Sequence, residues 1–392
     1  LLVGIPSLNE ADNIAFVTRQ IDRGLQKYFP NYRAVIVNAD NSSSDGTAEK
    51  FLATKTKTAK IYISTPQGIT GKGFNLFNIF RKAIECKAKA VAVFDADLKS
   101  IRPEWVRDML APILENNFDY CAPIYNRCEY DGSITNHICY PLIFGLFGCE
   151  IRQPIGGDFA LSRKNVKYVL AQKWHKSTFK YGVDIFLTLS AIRGNLKIAE
   201  VDLGTKIHKP SAPKLGAMFS QVIMTLFKNI RANKKSWLRI RHARKLPLFG
   251  KGKPEPTQTL EIDYKGMKAS ALFNFRSNAE TLAKFLSPPV FAKLEEMFSR
   301  GKIKIGQKLW CEVIFDAVHA FDRLCSNGEI VEALKPLFFG RFLYFFRETL
   351  EKNSADCERE IQNQAKFFWR HRRYLLQKYK KMRISRIRRK TV

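Results

Sequence analysis

An apolar run, Val91-Ala92-Val93-Phe94, ends abruptly in Asp95-Ala96-Asp97-Leu98, and no other stretch restricts the fold as much. A short run rich in β-branched residues reads as a buried parallel strand. Successive side chains of a strand point to opposite faces, so the chain must turn here for both carboxylates to serve one site. Such a lip suits Mg²⁺ or Mn²⁺, whose shells are completed by carboxylate and phosphate oxygens. Taken alone, a solvated loop with two acids explains the pair equally well. The flanking sequence separates the two readings.

Residues 1–5 read as a strand that stops at Pro6-Ser7-Leu8-Asn9-Glu10, and Asp12 or Asn13 caps a helix over 14–28. Residues 34–38 form the next strand, ending in the polar cluster from Asp40 to Thr47, with a helix over 48–53. A strand over 60–64 leads into a loop containing Gly71-Lys72-Gly73, then a helix over 74–86. Strands and helices alternating through short polar links predict a doubly wound α/β sheet. Ligands of such sheets bind beyond the carboxyl ends of the strands, so residues 6–10, 40–44 and 95–97 should line one crevice. In Gly71-Lys72-Gly73 the glycines admit phosphate oxygens to the backbone and the lysine adds a point charge. The spacing is not that of a P-loop, and a flexible turn is the plainer account.

Downstream, a strand over 120–125 precedes Arg127, Asp131 and Thr135. On a helix, steps of four would set these along one face, an Arg fork for a carboxylate beside groups able to hold hydroxyls. A surface ion pair is the more frequent meaning of that spacing. Gln153-Pro154-Ile155-Gly156-Gly157-Asp158 suggests backbone packed close to a ligand, or an ordinary turn. Asp184, at the start of an apolar helix over 185–192, reads as a cap or as a sugar contact. A strand over 197–203 runs into Gly204-Thr205-Lys206-Ile207-His208-Lys209-Pro210, where His208 becomes a metal ligand if it folds back to Asp97.

Past residue 216 the pattern turns helical, with segments expected over 279–286, 290–299, 309–325, 330–352 and 358–381. A boundary near residues 235–260, dense in basic residues and holding Gly250, Gly252 and Pro254, divides the chain into 1–235 and 236–392. The net charge of +30 implies an anionic partner without naming it. The basic end, through Arg383 and Arg386 to Arg388-Arg389-Lys390, reads as a solvated helix end, with contact to RNA or an anionic bilayer as the alternative. Eight cysteines without a Cys-x-x-Cys spacing argue for reduced thiols in the cytoplasm. The opening residues read as a strand and not as a signal peptide. The apolar stretch 138–151 is shorter than the roughly 20 residues of a spanning helix, and 337–346 is broken by Arg341.

Pro6-Ser7-Leu8-Asn9-Glu10, residues 40–47, Gly71-Lys72-Gly73 and Asp95-Ala96-Asp97 resemble, in order, the motifs of GT-A-fold glycosyltransferases using nucleotide-diphosphate sugars. Gln153 to Asp158, Tyr181-Gly182-Val183-Asp184 and Leu215-Gly216-Ala217-Met218 look like those of the retaining glucosyl-3-phosphoglycerate, mannosylglycerate and glucosylglycerate synthases. The resemblance spans about residues 1–235 and implies a Rossmann-like GT-A domain followed by a helical region. It implies that Asp97, His208 and Asp95 serve Mg²⁺ or Mn²⁺. The donor NDP-hexose would then meet Pro6, Glu10, Asp40, Gly71, Lys72, Asp95, Ala96, Asp97 and Ile155. Asp184, Asp158 and Lys72 are the implied catalytic residues. Arg127, Asp131, Thr135 and Gly157 would take the acceptor. Arg127, Asp131 and Thr135 look like the D-glycerate-holding trio of mannosylglycerate synthase, and a glycine-rich acceptor loop of the phosphoglycerate branch is missing. The reading is therefore transfer of glucose, or else mannose, to the 2-hydroxyl of D-glycerate with retention, as in compatible-solute synthesis. The enzyme is expected to be a homo-oligomer without a nucleic-acid partner, its basic tail suited at most to peripheral membrane contact. Asp158 stands where mannosylglycerate synthase has the longer Glu.

Four other readings stay open. One is the same chemistry on 3-phosphoglycerate. Another is an inverting GT-A enzyme acting on a polyprenyl phosphate, with Asp158 as general base. A third is a nucleotidyltransferase, and the last, of a different class, a charge-driven nucleic-acid or membrane binder whose affinity would collapse with salt.

Overall fold

The computed structural model of the protein describes residues 1–209, 214–253, 255–257 and 260–388. Pro210, Pro254, Arg389 and Lys390, named above, lie outside them. Eight strands form one sheet: β1 (Leu2–Ser7), β2 (Val35–Asp40), β3 (Ala59–Ser64), β4 (Ala90–Val93), β5 (Tyr120–Asn126), β6 (Phe159–Ser162), β7 (Ile198–Thr205) and β8 (Leu248–Phe249). Their order is β8-β7-β5-β6-β4-β1-β2-β3. Neighbours run parallel except β6, which is antiparallel to both β4 and β5.

The alternation along β1 shows why the sheet is covered twice. Val3 and Ile5 enter one core with Ile14, Val17 and Val106 of helices Ile14–Tyr28 and Pro103–Glu115. Gly4, on the opposite face, lies so close to helix Lys72–Glu85 that a Cβ would sit 2.6 Å from the Ile79 side chain. A strand wrapped on both faces needs apolar residues throughout, and β1 is buried along its whole length. The run at 91–94 behaves as expected: β4 ends at Val93, Phe94 N still donates to Gly4 O at 3.0 Å, and the chain then turns.

The chain folds as two compact units, and neither is continuous in sequence. The sheet unit comprises Leu1–Arg127, Ile151–Thr225 and Lys245–Gln258; the helical unit comprises Cys128–Glu150, Leu226–Arg244 and Thr259–Val392. This interleaving differs from a single cut at 235. Leu248 and Phe249 return to the sheet because they pair with Glu200 and Val201 of β7. Helix Tyr140–Phe147 has no polar face and is buried on every side, in packing against helix Ser354–His371.

Within the helical unit, helices Tyr264–Phe285, Pro288–Ser299, Gln307–Arg323, Asn327–Thr349, Ser354–His371 and Arg373–Arg388 follow one another. The first starts well before residue 279 because Asp263 caps it, accepting from Gly266 N at 2.9 Å. The expected single helix over 358–381 breaks at Arg372. Its buried guanidinium donates to the Ile240 and Trp237 carbonyls, both at 2.9 Å. No described helix is long and apolar enough to cross a membrane.

Residues 127–132 form a turn, with Gly132 at φ +65°, so no helical face runs through Arg127, Asp131 and Thr135. Helical structure starts after it, at Ser133, and passes through a wide turn at Thr135–Cys139 where Tyr140 N donates to Thr135 O.

Candidate active site

The strand exits of the sheet unit converge as the topology requires. The Asp95-Ala96-Asp97 turn is pinned from outside: Asn13 Nδ2 donates to the carbonyls of Ala96 at 2.8 Å and Leu98 at 2.9 Å. Asn13 stands at the N-terminus of its helix, but its side chain makes no capping bond and serves this turn instead. At the next exit Asp40 is fully buried and rich in donors. Its carboxylate accepts from Ser7 Oγ (2.7 Å), Ser43 N (2.7 Å), Ser43 Oγ (2.6 Å) and Tyr62 OH (3.1 Å). Pro6 is buried inside β1, which runs on to Ser7, two residues past its expected end at Ile5.

Behind the turn lies a dense ionic cluster. Lys72 Nζ is 2.7 Å from Asp95 Oδ1 and 3.3 Å from Asp184, and donates to Gly157 O at 2.9 Å. Lys206 Nζ takes the other side of Asp95, 3.1 Å from Oδ2, and reaches Asp158 Oδ2 at 3.0 Å and Gly156 O at 2.9 Å. Asp158 Oδ1 accepts from Asp95 N at 2.7 Å, and Tyr125 OH donates to its Oδ2. Asp158 is thus wholly enclosed, with both oxygens bonded inside the protein. Asp158, expected among the catalytic residues, has no solvent-exposed face.

Electrostatics follow from this packing. Burial pushes the Asp95 carboxyl up, but Lys72 and Lys206 outweigh it and hold the group well below the usual carboxylate range. Burial pulls Lys72 down, and Asp184 and Asp95 more than reverse that. For Asp184 burial wins over Lys72 and raises its pKa. Asp97 is likewise raised, by burial and then by the neighbouring Asp95. The ion pairs of this cluster set two lysines against the carboxylates of Asp95, Asp158 and Asp184, with Asp97 alongside and the Arg127 guanidinium within electrostatic reach of Lys206.

Asp97 keeps a quarter of its side chain exposed, and His208 Nδ1 approaches its Oδ2 at 4.0 Å. His208 is brought there by bonds between the two loops, Lys99 N to Ile207 O at 2.8 Å and Ile207 N to Ser100 Oγ at 2.9 Å. A 4.0 Å gap lies within reach of two metal–ligand bonds of about 2.1 Å each. No group of three such ligands exists among the described residues. The donor set therefore fits a hard divalent cation whose remaining positions go to substrate oxygens and water. Next to this pair, Lys209 Nζ binds Glu10 Oε2 at 2.8 Å and Asp12 Oδ1 at 2.9 Å.

The Gly71-Lys72-Gly73 loop is not an open phosphate cradle. Gly71 N donates to Asn41 Oδ1 at 2.7 Å and Gly73 N to Lys180 O at 3.2 Å, so both N–H groups are engaged. A Cβ at Gly71, where φ is +141°, would lie 2.3 Å from Phe179 O, and one at Gly73 2.1 Å from Thr178 O. These glycines let the 178–180 backbone close on the loop, which aims Lys72 inward. Gly157, at φ +96°, is needed for a different approach: a Cβ there would sit 2.3 Å from Asp95 Oδ2.

Arg127 ends a segment of the sheet unit and donates from Nη2 to Gln153 Oε1 at 2.8 Å, its guanidinium 5.5 Å from the Tyr125 ring centre. Ile155 is half-buried between the bonded Gln153 and the two glycines. Asp131 and Thr135 belong to the helical unit, so the acceptor trio is divided between the units. The sequence names Lys206 and Gln153 only as members of longer motifs and gives neither them nor Tyr125 a role of their own. For Lys206 a signal existed: a lysine closing a buried apolar strand, two residues before His208, has no solvated place to go.

Residues 31–212 match the family model described as the GT domain of mannosylglycerate synthase. The match covers a little under half of the chain and makes this segment similar to that GT domain. Three solved structures similar to this chain are of glucosyl-3-phosphoglycerate synthase from Mycobacterium tuberculosis. The complex with Mn²⁺, UDP and phosphoglyceric acid is 26% identical over 58% of this chain and 77% of that one, with a TM-score of 0.47. The complex with Mn²⁺, UDP and glucosyl-3-phosphoglycerate is 25% identical over 58% and 78%, with a TM-score of 0.48. The complex with Mg²⁺ and UDP is 26% identical over 58% and 78%, with a TM-score of 0.47. Comparison with curated protein sequences gives no match to this chain.

Proposed function

We propose that this protein is a metal-dependent hexosyltransferase that moves glucose, or else mannose, from an NDP-sugar to the 2-hydroxyl of D-glycerate with retention of configuration. The observation that carries the reading is Asp97 beside His208 at the strand exits, with Lys72 behind them, inside a segment that matches the mannosylglycerate synthase domain. Asp97 and His208 would hold Mg²⁺ or Mn²⁺, which when bound supplies Lewis-acid stabilisation of the departing diphosphate. Lys72, fixed by Asp95 and Asp184, places a permanent positive charge for the same developing negative charge. Asp184 keeps an edge toward the site and is suited to accept hydrogen bonds from sugar hydroxyls. Glu10 and Asp40 stand at the first two strand exits, where a nucleoside would lie.

Arg127 supplies the guanidinium that orients the acceptor carboxylate, a bidentate match for glycerate. Retention is consistent with the enclosure of Asp158: an inverting transfer needs a general base in contact with the acceptor hydroxyl, and Asp158 has no free face. In a same-face transfer the diphosphate oxygens can take the proton.

The test is nucleotide release with Mg²⁺ or Mn²⁺, crossing UDP- and GDP-linked glucose and mannose against D-glycerate and 3-phosphoglycerate. Turnover on D-glycerate with the α-anomeric configuration kept, lost at least 100-fold in Asp97→Ala, is the expected result. Turnover on 3-phosphoglycerate alone would move the acceptor assignment to the phosphorylated substrate. An inverted product would refute retention, and consumption of a sugar phosphate with NTP would make the protein a nucleotidyltransferase.

A further inference from the structure

The Asp-x-Asp turn offers a cation two carboxylates, yet they are not equally available. Asp95 has both oxygens claimed by ammonium groups, Oδ1 by Lys72 at 2.7 Å and Oδ2 by Lys206 at 3.1 Å. Asp97 has His208 at 4.0 Å and a quarter of its surface open. Lys206 is what makes the difference, because Lys72 alone would leave Oδ2 unengaged.

Lys206 is held hard in place. Its side chain is 4% exposed and is anchored by Asp158, itself 0% exposed. Asp158 is fixed in turn by Tyr125 OH and by the backbone N–H of Asp95. The ammonium also donates to Gly156 O at 2.9 Å. The space for the Lys206–Asp95 contact exists only because residue 157 lacks a Cβ, which would lie 2.9 Å from Nζ and 2.3 Å from Oδ2. A lysine buried this deeply needs a reason, since burial of an ammonium is costly unless paired. Nothing in the donor or acceptor assignments uses it.

We propose that Lys206 is a positioning residue of the transfer site: with Lys72 it occupies both oxygens of Asp95 and so reserves the divalent cation for Asp97 and His208. This rests on the metal reading above. Removing Lys206 leaves Asp95 Oδ2 unpaired at the rim of the turn, with three buried carboxylates against one lysine. Asp95 then competes for the cation, and Lys72 loses the partner that aims it at the diphosphate.

The experiment is Mn²⁺ titration of the full chain without nucleotide or acceptor, followed by the electron paramagnetic resonance signal of free Mn²⁺. Circular dichroism and urea midpoints first show that each variant is folded. Lys206→Met is expected to bind Mn²⁺ at least fivefold more tightly than wild type. The double variant Lys206→Met/Asp95→Asn returns to within threefold of it. Lys206→Arg keeps wild-type affinity. In turnover, kcat of Lys206→Met falls at least tenfold while KM for the NDP-sugar moves less than threefold. Asp95→Asn in the native background probes the same point without removing a buried lysine: Mn²⁺ affinity should stay within threefold, against a loss of at least 20-fold in Asp97→Asn. Equal losses in Asp95→Asn and Asp97→Asn would overturn the proposal and leave the metal assignment standing. An unchanged Lys206→Met, or a gain that persists without Asp95, would also overturn it. Mn²⁺ binding that survives Asp97→Asn would remove the metal assignment, and the Lys206 proposal with it.

Discussion

Both units of this protein bury charge, and they do it for different ends. In the helical unit Arg341 is 1% exposed. It donates to Gln364 Oε1 at 2.9 Å, to Ile305 O at 3.1 Å and to Glu348 at 3.1 Å. Asp316 in the same unit accepts from Ser287 N at 2.7 Å and Tyr374 OH at 2.8 Å, and pairs with Lys378 at 2.5 Å. Each is a closed account in which the charge is matched. In the sheet unit the ion pairs around Asp95 set two lysines against three carboxylates, and Asp97 and Asp184 keep partly exposed side chains, where we propose that a cation and a sugar bind. Matched burial builds structure, while unmatched burial next to an opening builds a site.

The comparison breaks most visibly if one substitution from each side behaves like the other. Asp97→Ala should lower turnover at least 100-fold while leaving the urea midpoint unchanged or slightly raised, since it removes a carboxylate that burial and Asp95 disfavour. Arg341→Ala should do the reverse. Loss of a buried, multiply bonded charge costs about 3 kcal/mol in urea unfolding, with kcat per folded molecule within twofold of wild type. A large kcat effect at Arg341 would erase the distinction.

A smaller effect is expected for Arg127→Ala: KM for the acceptor rises about tenfold, in line with loss of one charge-assisted contact of roughly 1.5 kcal/mol, and donor KM is unchanged. Steady-state kinetics with each substrate varied in turn reads this directly. Gly157→Ala should cost about 1–2 kcal/mol, because its φ of +96° disfavours a side chain and the new methyl meets Asp95 Oδ2. Its kcat should fall with stability, whereas a Gly68→Ala control, also at positive φ but with nothing within 4 Å, should leave kcat alone.

The smallest effect is in pH. Asp184 has a raised pKa, so the folded state holds its proton more tightly than the unfolded one. Asp184 therefore adds stability as pH falls through that raised value toward the ordinary carboxylate value of about 3.9. Asp95 is depressed, so its contribution is present above about 3.9 and is lost as pH falls below it. Urea midpoints of wild type minus Asp184→Asn, taken from pH 7 to pH 4, should drift upward in favour of wild type. A difference that shrinks as pH is lowered from 7 to 4 would mean that Asp184 is stabilised as the carboxylate and belongs with the matched charges.

Much of the sheet unit was legible because its signals are local. The apolar runs that become β1, β2 and β4 are short, β-branched and ended by polar residues, and the helices between them are amphipathic. The convergence of Glu10, Asp40 and Asp97 followed from parallel topology alone. Other features depended on contacts distant in sequence. Asn13 looks like a helix cap and serves the turn at Ala96, 83 residues away. Gly71 and Gly73 look like a phosphate loop and are instead spacers for the 178–180 backbone. The helical face through Arg127, Asp131 and Thr135 fails because Gly132 turns the chain between them.

By itself, then, the sequence determined the α/β alternation, the strand exits and the Asp-x-Asp turn, all consequences of composition and order along short stretches, and it left the approach of His208 to Asp97 conditional on the fold. Only the tertiary structure decided which carboxylate is free. Asp95 and Asp97 are indistinguishable in a string of letters. Their difference comes from Lys206, 111 residues away from Asp95, and from Asp158 and Tyr125 that hold it. The strength of a buried charge depends on every neighbour within a few ångströms, and those neighbours are assembled by packing and not by sequence proximity.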